Sequence, residues 1–173
     1  QHFRVSGSAR STRIVNTMAD MHPIQLFFSS HHPLAKKVEA TFEGSVGGTV
    51  YVQIAAPSDL VQRPEDNTLH SGFATIILDS IMGGAVMGTL TQVMPIATIG
   101  LSMHHLRRAT AGEKLTGKAV CTGTHNDVAY VTGELLGADG TPVAIASGTF
   151  MLGTRGTSIR NKTTAPETTE SRI

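Results

Sequence analysis

The amino-acid sequence predicts an α+β fold in which a curved antiparallel β-sheet wraps around one long central helix. Three observations carry that expectation. From Ser71 to Leu106 the only formally charged side chain is Asp79, set among Phe73, Ile76, Ile77, Leu78, Ile81, Met82 and Val86. An apolar run without turn residues at Phe73–Met82 reads as a helix, and its lack of a polar face predicts that it is buried. Segments on both sides of it alternate with the period of two that strands require. Finally, one face of the later segments is lined by Gly117, Ala119, Gly133, Ala144, Ala146 and Gly148. Such a face lets something bulky approach a sheet closely, and the apolar 73–88 segment is available to do so.

Taken in order, residues 1–19 hold Arg4, Arg10 and Arg13, several Ser and Thr, and no acid before Asp20. They read as an N-terminal extension: a tag or upstream-translated sequence ahead of Met18, or an organelle-targeting segment, which would be Arg- and Ser-rich and acid-poor. Ile24, Phe27 and Phe28 recur at helical spacing after Pro23, which predicts a peripheral helix over His22–Lys37. His31 and His32 have no Asp, Glu or Cys at ligand spacing, and a zinc site needs three or four converging ligands, so they read as a surface loop. A strand is expected around Ala40–Gly44, with Gly47-Gly48 as the turn into Thr49–Ile54, where Val50, Val52 and Ile54 share a face.

After the central helix Pro95 stops helical continuation. Ala97, Ile99, Leu101 and Met103 then alternate with Thr98, Gly100, Ser102 and His104, and strands are expected at Leu115–Thr124, Val128–Leu136 and Val143–Leu152, the last two joined by an Asp139-Gly140 turn. The uncharged length of Ser80–Ile99 also invites a membrane-spanning reading. Three glycines, Pro95, Gln92 and four hydroxyl side chains argue against it. Residues 154–173 are polar with almost no apolar side chain and read as a disordered tail. The chain thus divides into 1–19, a single domain over 20–153, and 154–173.

Composition bounds the function. With 173 residues and 40% hydrophobic content the chain can build one sizeable core, and 18 glycines with 5% aromatics suit close backbone contacts. A net charge of +1 points neither to nucleic acid nor to an anionic membrane. The single cysteine, Cys121, excludes an internal disulfide and a Cys-based metal cluster, in keeping with a cytoplasmic setting.

Chemistry concentrates at Asn67-Thr-Leu-His-Ser-Gly-Phe and at Asp79. Burying a carboxylate costs several kcal/mol unless something offsets it, so a lone Asp in an apolar helix points to chemistry. Ser71 is an N-cap candidate, and the backbone N–H groups of a helix start attract developing negative charge. Ser71 and Asp79 lie eight residues apart, about 12 Å along a helix. One carbonyl carbon cannot touch both in the same subunit, so if both act, a symmetric dimer with antiparallel helices is required.

This pattern resembles the hotdog-fold acyl-CoA thioesterases of the PaaI-like superfamily, in which a His-Gly-Gly segment enters the central helix and an acidic residue follows nine positions after the His. His70 and Asp79 have that spacing, and the resemblance spans about Phe42 to Leu152. It implies that Asp79 is general base or nucleophile towards the thioester. It also implies that Ser71, at the first glycine position, offers the N–H that polarises the carbonyl, that Gly72 matches the second glycine, and that Thr98 matches an assisting hydroxyl. His70 reads either as a catalytic group or as a side chain bonded to the turn backbone. Asn67 stands where many relatives have Gly, and Asn tolerates a left-handed turn. Pro64 stands where the family often carries a water-positioning Asn. Arg107, Arg108 and Lys118 could meet coenzyme A phosphates or form an ordinary basic patch.

The expected function is hydrolysis of acyl-CoA to free acid and coenzyme A by a homodimer or a tetramer of dimers. Coenzyme A enters only as part of the substrate, with no metal or redox cofactor, no nucleic acid and no membrane insertion. Two rivals stand beside it: a non-catalytic hotdog module binding acyl-CoA or acyl chains, and a hotdog hydratase or dehydratase. The latter wants a His and an acid converging on one carbon, and no His-Phe-Pro-type segment supplies them.

Overall fold

The computed structural model describes residues 38–92 and 94–153. The readings made of residues 1–19, of His22–Lys37 and of 154–173 lie outside those residues. The described chain forms strands β1 (Glu39–Val46), β2 (Thr49–Ala55), β3 (Val61–Arg63) and β4 (Thr68–Leu69), then helix α1 (Gly72–Met87), then β5 (Ile96–His105), β6 (Lys114–His125), β7 (Val128–Gly137) and β8 (Pro142–Leu152). Six strands make one antiparallel sheet in the order β1-β2-β6-β7-β8-β5, and β3 and β4 pair apart from it. The predicted α+β architecture, one helix held by an antiparallel sheet, is the observed one.

Turn chemistry sets the hairpins. Gly47 and Gly48 both take positive φ (58° and 80°) between β1 and β2, as a tight two-residue turn requires. The β6–β7 turn uses Asn126 and Asp127 in the same left-handed region (47° and 61°), a turn with no glycine.

The small-residue face meets the helix as expected. A Cβ on Gly117 would collide with the Ile81 side chain, one on Gly133 would stand 2.9 Å from Met82 Sδ, and one on Gly148 would stand 2.6 Å from Met82 Cε. Leu78, Ile81 and Met82 are consequently sealed against β6, β7 and β8. Burying a side chain of that size contributes about 1.5–3 kcal/mol.

Two features differ from the sequence reading. The described residues do not cover the helix all round: eleven of its sixteen residues are buried, Met87 at its end is half-buried, and along one side Gly72, Thr75 and Asp79 are half-buried and Ile76 is 37% exposed. These four fall at the i, i+3, i+4, i+7 spacing of one helical face. The alternation predicted for 97–104 is also interrupted. The β5–β8 register jumps between Thr98 and Gly100, leaving Ile99 as an extra residue. Such a bulge resets which face each side chain takes. Ile96 and Thr98 before it and Leu101 and Met103 after it therefore all turn to the helix side, across from Phe150, Gly148 and Ala146. Among the described residues no helix is long and apolar enough to cross a membrane.

Candidate active site

Asp79 and Thr98 meet where the open stripe of α1 faces the edge strand β5. The Thr98 hydroxyl donates to Asp79 Oδ1 at 2.8 Å. The β5 bulge makes this possible by placing Thr98 on the helix side of the strand without disturbing Leu101 and Met103. The carboxylate thus has one oxygen oriented by a hydroxyl and is half-buried among the described residues, one helical turn from the 37% exposed Ile76. No other charge lies on the helix.

At the helix start the backbone is pinned on three sides. The His70 N–H donates to Leu60 O (3.0 Å), the Phe73 N–H donates to His70 O (3.0 Å), and the Gly72 N–H donates to His70 Nδ1 (3.0 Å). A ring nitrogen that accepts is unprotonated, so this bond fits a neutral imidazole with its proton on Nε2. Ser71 itself is αR (φ −60°, ψ −28°) and makes no side-chain cap bond, which corrects the expectation that it caps the helix. The His70 ring takes that part instead. Of the two helix-start donors, Gly72 is engaged, while the Ser71 N–H has no partner among the described residues.

The remaining residues separate. Asn67 takes φ 54° in the β3–β4 turn and its carbonyl accepts the Ala111 N–H, so it shapes the approach to the helix. The preceding Asp66 accepts from the Thr68 N–H at 3.1 Å, and hydrogen bonding to Thr68, with the Arg63 and Arg108 charges, holds its carboxyl below its usual range. Arg107 is committed to Glu113 by a forked pair, Nη2 to Oε1 at 2.6 Å and Nη1 to Oε2 at 3.2 Å, and Nη1 also reaches the Arg108 carbonyl at 3.1 Å. The hydrogen bond to Glu113 raises Arg107 above its ordinary value. Burial pushes Glu113 up, but hydrogen bonds from Arg107 and the Thr110 N–H, with the Arg107 charge, outweigh it and hold the carboxyl below its usual range. Arg108 is exposed and, with His70, Ser71, His105 and Arg107, lines a small hollow at the helix start.

Lys118 does not join them. It pairs with Glu134 at 3.0 Å, while its neighbours Gly117 and Ala119 turn to the helix, so the sheet lies between it and Asp79. Sequence reasoning missed Glu113 and His105; the signal for Glu113 was its place as the first acid after the Arg pair. A larger hollow of about 430 Å³, lined by Ser102, Thr122, Tyr130, Thr132, Ser147 and Thr149, lies on the outer face of the sheet, away from both groups.

A model of the thioesterase superfamily matches residues 66–144, from the turn before α1 into β8. A phenylacetic acid degradation-related protein of Ralstonia eutropha JMP134, described as a candidate thioesterase, superposes with a TM-score of 0.64 at 25% identity, over 75% of this chain and 98% of its own. The chain has the hotdog fold, and its stretch 66–144 is similar to the thioesterase superfamily. The hotdog fold recurs in the PaaI protein of the phenylacetic acid degradation operon of E. coli (TM-score 0.62, 16% identity, 70% of this chain and 85% of that one). It recurs again in a hypothetical thioesterase from Streptococcus pneumoniae TIGR4 solved with coenzyme A (TM-score 0.60, 19% identity, 68% and 88%). None of the curated proteins matches this chain significantly.

Proposed function

We propose that this hotdog chain hydrolyses acyl-CoA thioesters to a free acid and coenzyme A. The observation that carries the reading is the Thr98–Asp79 hydrogen bond on the open stripe of α1. With Oδ1 held by Thr98, the other carboxylate oxygen serves as general base on water or attacks the carbonyl directly. The tetrahedral oxyanion is met by the backbone N–H of Ser71 of the partner subunit, because α1 separates Ser71 and Asp79 of one chain by about 12 Å. The free edge of β5 and the uncovered helix face give that second copy a place to dock, and a tetramer of such dimers is compatible with it. Thiolate is a good leaving group, so the chemistry requires neither a strong general acid nor a metal or redox cofactor.

Arg108 is the residue placed to meet substrate phosphate; Arg107 is spent on Glu113 and Lys118 lies across the sheet. The coenzyme A bound by the pneumococcal protein supports the same ligand class here. Crystal structures of that protein also carry an Asp→Ala and a Thr→Ala substitution, the two residue types joined here. One observation favours the binding-module alternative: the Gly72 N–H is already taken by His70, which leaves the oxyanion a single backbone donor.

Thiol release measured over a panel of acyl-CoAs tests the reading. Turnover of at least one acyl-CoA, lost in Asp79→Asn, is the expected result. Acyl-CoA binding without turnover would instead establish the module.

A further inference from the structure

The hydroxyl that orients Asp79 is carried by an edge strand. Among the described residues β5 pairs only with β8. Even so, strand and helix keep step. Near the start of β5, Ile96 and Phe150 close on the helix at Gly83, where a Cβ would stand 3.6 Å from a carbon of each. Two strand residues advance about 6.8 Å and four helix residues about 6 Å, so Thr98 arrives level with Asp79. Height alone leaves the direction open. Phe150 stands opposite Thr98 and is buried, whereas Asp79 lies on the open stripe, turned about 40° round the helix from Gly83. The hydroxyl has to lean aside to meet it.

The bulge supplies that lean, because a bulge bends its strand and increases the local right-handed twist. It is firmly seated on β8. At Gly100 a Cβ would stand 2.8 Å from Thr149 Oγ1, and at Gly148 one would stand 3.2 Å from the Gly100 carbonyl oxygen. On the other side of Thr98, the Gly153 N–H donates to Pro95 O at 2.9 Å. The register isolates what the extra residue does. Thr98 faces Phe150 and Gly100 faces Thr149, two consecutive residues of β8. Removing Ile99 would therefore leave every β5–β8 pair as it is, with Ile96, Thr98, Leu101 and Met103 still on the helix side. Pairing has no need of the residue. Nor does the core, since Ile99 is 54% exposed.

We propose that Ile99 is a positioning residue: as an inserted backbone unit it twists β5 so that the Thr98 hydroxyl is aimed at Asp79 Oδ1. The inference rests on the hydrolytic reading above and adds the device that orients its carboxylate. The 2.8 Å bond belongs to the bulge, not to the strand as such. The Ile99 side chain takes no part in it.

Deleting Ile99 tests this. The deletion variant should fold and melt cooperatively, while kcat for an acyl-CoA falls about tenfold with KM little changed, the loss expected when a hydrogen bond to a charged group goes. Thr98→Val should cost nothing further in the deletion variant, because the bond is already gone; two independent losses would multiply to about a hundredfold. Ile99→Ala keeps the inserted residue and should hold kcat within about twofold of wild type. A crystal structure of the deletion variant reads the geometry without activity: Thr98 Oγ1 should lie beyond about 3.5 Å from Asp79 Oδ1. A bond kept at 2.8 Å would overturn the proposal. So would a wild-type kcat after deletion, multiplying losses in the double variant, or an Ile99→Ala enzyme as impaired as the deletion. A deletion variant that does not fold would also overturn it, by making the bulge a requirement of the sheet. If the wild-type chain hydrolyses no acyl-CoA, the proposed activity falls while the distance in the deletion variant still decides the device, so the two claims fail separately.

Discussion

The two sides of helix α1 are made of similar residues and do opposite things. On one side Leu78, Ile81 and Met82 press into Gly117, Gly133 and Gly148, leaving no room for a Cβ. On the other, among the described residues, Thr75, Ile76 and Asp79 face no strand except where Thr98 reaches the carboxylate. The sheet accounts for the apolar character of one side, and the second copy proposed above would account for that of the other. A residue on the sheet side is answerable to packing. A residue on the open side is answerable to chemistry and assembly, and substitutions should split along that line.

The largest split is at Asp79. Asp79→Asn keeps the size and leaves an acceptor for the Thr98 hydroxyl, but removes base and nucleophile. Hydrolysis should fall by at least about 10²-fold, a typical general-base contribution, with thermal stability and acyl-CoA binding retained. An Asp79→Asn enzyme that works at the wild-type rate would make the carboxylate structural. The opposite face should show the reverse pattern. Gly117→Val places a branched side chain where Ile81 and Ile54 already stand. Overpacking of that kind costs about 1–3 kcal/mol, so the melting temperature should drop while turnover per folded molecule is preserved. Loss of turnover without loss of stability would show that the two faces are not independent.

A smaller effect is expected at Thr98. Thr98→Val removes the 2.8 Å bond to Asp79 Oδ1 from a half-exposed site. A hydrogen bond to a charged group is worth about 1.5–3 kcal/mol, so kcat should fall about tenfold or somewhat more, with KM little changed. A change confined to KM would assign Thr98 to substrate binding instead of to orienting the carboxylate.

Much of this molecule was legible in its residues, and the gaps have physical causes. The central helix, all six strands of the large sheet and the glycine face were expected from periodicity, turn residues and side-chain size, which act locally. The bulge at Ile99 was missed because clean alternation over 97–104 suggested an undistorted strand. The signal lay one residue earlier: Ile96 and Leu101, five apart, cannot both face a core without one extra residue between them. Strands β3 and β4, three and two residues long, are too short to show a period at all. In the site, Asp79 stood out as the one charge in an apolar run, and Thr98 came with the family resemblance. That His70 would close on the Gly72 N–H, displacing Ser71 as the cap, depends on a side-chain torsion that spacing does not encode. Lys118 was drawn in by charge alone, and strand parity puts it on the far face.

The smallest effects separate the two adjacent arginines. Arg108→Gln should raise KM for acyl-CoA several-fold and leave kcat alone, the mark of lost uniform binding. Arg107→Gln should instead leave KM nearly unchanged and act on stability, with a sign set by Glu113. In the folded chain Glu113 lies below its ordinary 4.5, so its contribution is complete above that pH and is lost as pH falls through the lower folded value. Arg107 is raised, so its own contribution persists across neutral pH and fades only in strong base. With side-chain exposures of 35% and 18%, solvent screening limits the pair to about 1 kcal/mol. Without Arg107, burial still pushes Glu113 up and only the Thr110 N–H bond is left to oppose it, so its ionised form begins to cost stability at a higher pH. The gap in melting temperature between wild type and Arg107→Gln should accordingly be widest near neutrality and close as the solution is acidified below about pH 4. A gap that stays constant with pH would mean that Arg107 acts through packing of its stem, and a KM change as large as that of Arg108→Gln would return it to the substrate.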